Sequence, residues 1–293
     1  MRPIAYGIKS LRFRMSAGLG CCVTGSKKRE RTMIQLLHGD CLKLMFDLPD
    51  NSVDMVCCDM PYGTTACKWD TVLPLDMLWY HYNRICKDNA AIVLTASQPF
   101  TSVLVGSNIK NFKHEWIWEK AVGSNFATLK YQPMKEHESV LVFSVGVVNY
   151  YPIMQERKGT QRGVSPDYTN TASPSKNEKG EATGGINRNR DGKKYGELRN
   201  PSSVQFFNNR IKSDRGCHPT QKPVALMEYL IKTYTNEGDT VLDNCMGSGT
   251  TIIAADNLNR NSIGIELDEK YFQIAKERIN KNRERLGLTV IDN

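Results

Sequence analysis

Apolar residues along this chain come in two textures, short dense runs and longer stretches with helical spacing, and the two alternate. Residues 33–37 and 53–58 are compact, rich in β-formers and bounded by turn residues, which predicts buried strands with a short helix, 41–48, between them. A helix over 75–87, a buried strand over 90–95 and a further helix opening at Gln98-Pro99 are expected next. Residues 113–120 alternate, with Trp116 and Trp118 on one face and Ile117 on the other, as a strand does, and 137–144 reads as the partner. The C-terminal part adds a helix over 224–234 with Pro223 suited to its first turn, a strand opening at Val241, a helix over 250–258, a strand over 262–265 and a last helix over 268–286. Strands alternating with helices in this way predict an α/β domain on a largely parallel sheet, whose ligands bind beyond the C-terminal strand ends.

Two segments break the rhythm, and charge marks both. Residues 1–32 lack periodicity and carry a net +7, and residues 151–216 are polar, poor in apolar side chains and carry +6. The intervening stretches are mildly acidic, −3 over 33–150 and −2 over 217–293, so the overall +8 is concentrated outside the presumed body. Concentrated basicity matters for a phosphate backbone more than the total does. A DNA-binding arm, a targeting peptide and an extension with no folded role compete for residues 1–32. The last is preferred, with disorder expected, because the apolar patch 15–23 precedes its basic residues, the reverse of a signal peptide. Nine cysteines without a Cys-x-x-Cys pair argue against a disulfide framework and a zinc ribbon, and for a reduced, cytoplasmic setting. No apolar run approaches the ~20 residues needed to span a bilayer.

The chemistry gathers at two strand ends. Asp59-Met60-Pro61-Tyr62-Gly63 closes the run 53–58. Pro61 biases Met60 towards extended geometry, so the Met60 carbonyl and the Asp59 carboxylate stand as adjacent acceptors for an amino group, with Tyr62 as a ring to stack on. An ordinary Asp-x-Pro turn would look the same. The second end is Asp243-Asn244-Cys245-Met246-Gly247-Ser248-Gly249-Thr250, a glycine turn between a strand and a helix, with Glu266 ending the next strand. Glycines admit close approach of a ligand and a strand-tip acid can hold ribose hydroxyls. The turn lacks the GxGxxG of dinucleotide sites, and Asp243 suits a cation better than a pyrophosphate. S-adenosylmethionine, with its sulfonium, ammonium and ribose, fits.

Together these stretches resemble the amino-methylating DNA methyltransferases, which carry an Asp/Asn/Ser-Pro-Pro-Tyr tetrapeptide and a Gly-x-Gly cofactor loop. The order here is the tetrapeptide, a polar insert, His218-Pro219-Thr220-Gln221-Lys222-Pro223 and the cofactor loop, which resembles the β subgroup. Met60 departs from the usual proline. The resemblance covers about residues 33–286 and implies a class I Rossmann-like methyltransferase sheet in circularly permuted motif order, with 151–216 as a target-recognition insert between a catalytic half, 33–150, and a cofactor half, 217–293. It implies Asp59, Met60, Pro61 and Tyr62 as the catalytic set. Asp40 near the cofactor's adenine is also implied, though a helix N-cap would serve as well. Asp243, Gly247, Gly249, Thr250 and Glu266 complete the cofactor loop. Thr220 and Lys222, at a helix N-terminus, are expected to hold the cofactor's carboxylate. Arg188, Arg190, Lys193 and Lys194 are expected on DNA phosphates, and Phe126 near the target pocket.

The resulting expectation is methyl transfer from S-adenosylmethionine to adenine N6 of a nucleotide flipped from double-stranded DNA. An aspartate opening the tetrapeptide favours adenine, and the alternative is cytosine N4. Two further classes stay open, an RNA or protein methyltransferase and a catalytically silent DNA-binding protein on the same fold. A homodimer and a restriction endonuclease acting on the same site are partners the resemblance admits and the residues do not decide.

Overall fold

The computed structural model describes residues 32–63, 70–156, 198–210 and 221–291. The chain opens with β1 (Ile34–His38), α1 (Cys41–Leu44) and a 3₁₀ turn (Met45–Asp47). Asp40 caps α1, its carboxylate accepting from the Leu42 amide at 3.0 Å. Next come β2 (Val53–Cys58), α2 (Leu75–Ile85), β3 (Cys86–Ala96), α3 (Phe100–Ser107), β4 (Phe112–Ser124) and β5 (Lys135–Phe143). The two-residue strands β6 (Gln155–Glu156) and β7 (Leu198–Arg199) pair with each other, and β8 (Val204–Phe207) follows. The last stretch is α4 (Val224–Tyr234), β9 (Thr240–Asp243), α5 (Thr250–Asn257), β10 (Asn261–Glu266) and α6 (Glu269–Arg285).

Eight strands make one sheet in the order β1-β10-β9-β2-β3-β5-β4-β8. The first five are parallel, β5 runs antiparallel to β3 and to β4, and β8 lies parallel to β4. Central strands read as near-continuous apolar runs because helices cover both faces. One face packs Met45, Leu78, Tyr82, Ile85, Leu94 and Phe143 under α1, α2 and α3. The other packs Met55, Val93, Trp116, Trp118 and Val140 against Leu226, Leu230 and Tyr234 of α4, whose spacing makes a single apolar stripe. Ile252 and Ile253 of α5 bury against Ala275 and Ile279 of α6. No helix among the described residues is long and apolar enough to cross a membrane.

The chain direction across the sheet reverses between β9 and β2. From β9 the path moves outward to β10, and from β2 it moves the other way to β3. Such a reversal leaves a crevice beyond the strand ends, since the two crossovers depart in opposite directions.

The expected elements are all present, with three differences. The helix expected over 75–87 stops at Ile85, where Cys86 turns extended and pairs with Val53, so β3 starts earlier than its apolar stretch suggests. Within the polar stretch 151–216, Val204–Phe207 is a strand on the main sheet, its Val204 level with Ile117. Four residues flanked by serine and asparagine give too little pattern to announce it. Thr32, read with the N-terminal segment, donates its hydroxyl to Asp256 at 2.5 Å; the rest of that segment lies outside the described residues.

Candidate functional site

β2 and β9 are neighbours in register, Val56 beside Leu242, so Asp59 and the turn after Asp243 leave the sheet side by side at the reversal point. Residues 180-odd positions apart in the chain therefore share one edge of the crevice.

At the β2 tip, Asp59 is surrounded by side chains. The Tyr62 hydroxyl donates to its Oδ1 at 2.7 Å, and the Thr95 hydroxyl, at the end of β3, donates to the same oxygen. Lys222 Nζ lies 2.8 Å from Oδ2, and 3.2 Å from Glu138 Oε2 on β5. Glu138 Oε1 in turn takes Lys120 Nζ of β4 at 2.5 Å. The four charges alternate in sign and sum to zero, which is what makes their burial tolerable. Lys120 and Lys222 are 6% and 7% exposed and Glu138 14%, so water screens them little. Burial alone would push the Glu138 carboxyl up, but Lys222 and Lys120 outweigh it and hold it below its ordinary range. Burial likewise opposes the Lys222 charge, and Asp59, Tyr62 and Glu138 override it, holding the ammonium well above its ordinary value.

Tyr62, expected as a ring for a base to stack on, already has an aromatic neighbour within the protein. It is half-buried, stacked on Phe100 with centroids 5.5 Å apart and 22° between planes, and the Lys222 ammonium lies 5.6 Å from its centroid. Burial and the Asp59 charge raise its phenol well above the usual value, so it remains a donor. Met60 is in the core, 3% exposed. The turn is tied off where the Gly63 amide donates to Asp70 Oδ1 at 2.8 Å.

At the β9 and β10 tips the acids are met by backbone. Asp243 is 2% exposed and accepts from the Cys245 amide at 3.1 Å. Burial lifts its carboxyl to about 7, against the Thr251 hydroxyl and that amide, which pull it down. Through that amide it ties the turn to the end of β9. Glu266 accepts from Gly247 N–H and Asp268 N–H, both at 2.8 Å, and burial raises it. Gly247 has φ +51°, and a side chain there would project into open space. Gly249, φ +78°, is a packing glycine, since a Cβ would meet Ala275 Cβ at 3.1 Å and Ile279 Cδ1 at 3.2 Å. Thr250 opens α5, buried, with Arg278 of α6 reaching its hydroxyl at 3.4 Å and that of Ser248 at 2.8 Å.

Of the anticipated site residues, the fold brings together Asp59, Tyr62 and Lys222 on one side and Asp243, Gly247, Gly249, Thr250 and Glu266 on the other, with Asp40 one strand further along at the exit of β1. Lys222, expected on the cofactor's carboxylate, has its ammonium on two protein carboxylates instead. Thr220, Arg188, Arg190, Lys193 and Lys194 lie outside the described residues. Phe126 is exposed on the β4–β5 hairpin. Thr95, Phe100, Lys120 and Glu138 were not anticipated, although a signal existed. Lys120 shares the strand face of Trp116 and Trp118, and Glu138 that of Val140 and Val142, so both charges occupy inward positions. The buried thiols are no nucleophiles: burial pushes Cys58 up to about 12 and Cys57 well above its usual value. No cluster of metal-binding side chains occurs among the described residues.

An acceptor-rich strand tip beside a glycine turn, on this sheet order, defines the class I methyltransferase architecture. The profile of the N6/N4 DNA methylase family matches residues 53–277, and the chain belongs to that family. It is 29% identical over 271 residues to the type II methyltransferase M.HpaI of Haemophilus parainfluenzae, covering 84% of this chain and 74% of that protein. It is 25% identical over 279 residues to the DNA adenine methyltransferase YhdJ of Escherichia coli K12, covering 89% and 86%. Among solved structures, the M1.HpyAVI–SAM complex superposes with a TM-score of 0.56 at 26% identity, over 85% of this chain and all of that one.

Proposed function

We propose that this protein is an S-adenosylmethionine-dependent DNA methyltransferase acting on adenine N6. The observation carrying the proposal is the pairing of Asp59, held as a hydrogen-bond acceptor, with the Gly247 turn at the neighbouring strand tip. The residues present fit the methyl donor. Gly247 leaves open space above the turn, and the Glu266 carboxylate keeps lone pairs for ribose hydroxyls beyond its two backbone donors. Glu266, which keeps unfilled lone pairs, is proposed to supply negative charge beside a cationic ligand. When bound, the donor supplies an electrophilic methyl on sulfonium. The rest falls to the chain. Asp59, with the Met60 carbonyl, accepts the hydrogens of the exocyclic amine and turns its lone pair towards the methyl carbon. With the donor bound, Asp59 and the Met60 carbonyl would stabilise the positive charge growing on nitrogen as it takes the methyl, the thioether would leave with the sulfur–carbon electron pair, and the surplus amine proton would pass to solvent. Direct transfer needs no cysteine nucleophile, and the described thiols beside Asp59, Cys57 and Cys58, are buried with raised pKa values.

A base inside a duplex cannot reach this edge, so the nucleotide leaves the stack, and the basic stretch 151–216, with Arg188, Arg190, Lys193 and Lys194, is proposed to hold the phosphates. Adenine is preferred because the tetrapeptide opens with aspartate, and YhdJ, aligned over most of both chains, is named for that base. Mass analysis of nucleosides from duplex DNA incubated with the protein and S-adenosylmethionine tests this directly. N6-methyladenine is the expected product, whereas N4-methylcytosine would overturn the adenine assignment and methylated RNA alone would overturn the DNA reading.

A further inference from the structure

Granted that Asp59 receives a base amine, one of its oxygens must be free to do so. Oδ1 is filled by the Tyr62 and Thr95 hydroxyls. Oδ2 is the oxygen left for the substrate, and there the Lys222 ammonium sits at 2.8 Å. The same ammonium is 3.2 Å from Glu138 Oε2, which is buried and receives no aligned hydrogen bond. A buried carboxylate oxygen in that state is costly, and beside a cation it is an unfilled berth. Glu138 cannot swing away to relieve itself, because Lys120 grips its other oxygen at 2.5 Å.

We propose that Glu138, anchored by Lys120, is the acceptor onto which Lys222 withdraws when the target amine docks on Asp59 Oδ2. Lys222 keeps the carboxylate aimed while no substrate is present, then moves to Glu138 as the amine arrives. Lys120, Glu138 and Lys222 are thus positioning residues that act through Asp59. The withdrawal is short, since Lys222 already touches both carboxylates, and the charge balance of the group is unchanged by it. Around the pair, Asp59 also faces Tyr62, Cys57, Cys58 and Asp243, and Glu138 faces Lys135. Of these, Asp243 titrates near neutrality, so wild type and variants must be compared over one pH series.

The test is single-turnover methylation of a duplex at saturating S-adenosylmethionine between about pH 6 and 9, with cofactor affinity measured alongside. Glu138→Gln is expected to slow transfer about tenfold or more, leaving cofactor affinity and the acid limb of the profile in place. Lys222→Met is expected to slow transfer about tenfold or more across the pH series with cofactor affinity kept, and Lys222→Arg to restore most of the rate. The double variant Glu138→Gln/Lys222→Met should lose less than the product of the single losses, because nothing then needs to withdraw. Wild-type speed in Glu138→Gln, strictly multiplicative losses, or loss of cofactor affinity in step with rate would each overturn the proposal. If wild-type protein methylates no base at all, it is the enzymatic reading that fails. If wild type methylates and the cycle is multiplicative, only the role of Glu138 does.

Discussion

The carboxylates on the two sides of the crevice are held by different means. At the tips of β9, β10 and β1, Asp243, Glu266 and Asp40 accept chiefly from backbone amides within two residues of themselves, Glu266 also from the adjacent glycine turn and Asp243 also from the Thr251 hydroxyl. At the tip of β2, Asp59 is held by side chains, one three residues away and the others on β3 and ahead of α4, 36 and 163 positions distant. Backbone donors are fixed by the turn itself and make a rigid cradle suited to binding the same ligand repeatedly. Side-chain donors can be rearranged at small cost, which suits an oxygen that must exchange partners during a reaction. On the proposed reading, the cofactor side is built to stay still and the catalytic side to give way.

The largest effect is expected where the rearrangeable acceptor is removed. Asp59→Ala should cut methylation by at least about a thousandfold, the scale on which loss of a transition-state partner is felt, as read by methyl incorporation into duplex DNA. Unchanged methylation would remove Asp59 from the chemistry. On the rigid side, Gly249→Ala places a Cβ at 3.1 Å from Ala275 Cβ in a left-handed backbone. A loss of about 1–3 kcal/mol in stability is expected, together with weaker cofactor binding, measurable by denaturant unfolding and calorimetric titration. A stability equal to wild type would mean that α5 and α6 are not packed through that glycine. The remaining effect is confined to pH dependence and concerns Asp243. Its folded-state carboxyl binds a proton up to about 7, far above an unfolded aspartate. The folded state therefore holds the extra proton, and the stability this group confers is present at acid pH and lost as pH climbs from about 4 through 7. Melting curves between about pH 5 and 8 should show this decline in wild type and a flatter course in Asp243→Asn. Identical slopes would show that the amides and the Thr251 hydroxyl offset burial fully.

The same contrast explains what the amino-acid sequence made legible. The parallel strands, the helix α4 and the glycine turn declare themselves because their causes are local: dense apolar runs, one-three-four spacing, an N-cap such as Asp40 or Asp268. Asp59, Tyr62, Asp243 and Glu266 could be picked out as a site for the same reason. The partners of Asp59 could not, since Thr95, Glu138 and Lys120 belong to elements whose register decides who meets whom, and register is a property of the assembled sheet. Lys222 could be picked out as functional, but its contacts with Asp59 and Glu138 could not, because a lysine before a helix N-terminus suggests an anion and the sequence does not say which. Val204–Phe207 escaped notice because an edge strand of four residues owes its existence to β4 rather than to its own composition.

The division of labour between the two sides is tested most directly by crossing two variants with two readouts. Glu266→Ala and Asp59→Ala proteins would each be titrated with S-adenosylmethionine and assayed for methylation at saturating cofactor. Glu266→Ala should weaken binding roughly tenfold to a hundredfold, the worth of a lost charged hydrogen-bond acceptor, while keeping most of the saturated rate. Asp59→Ala should bind with wild-type affinity and transfer almost nothing. If both variants lose affinity and saturated rate together, the two strand tips do not have separate tasks and the account is wrong.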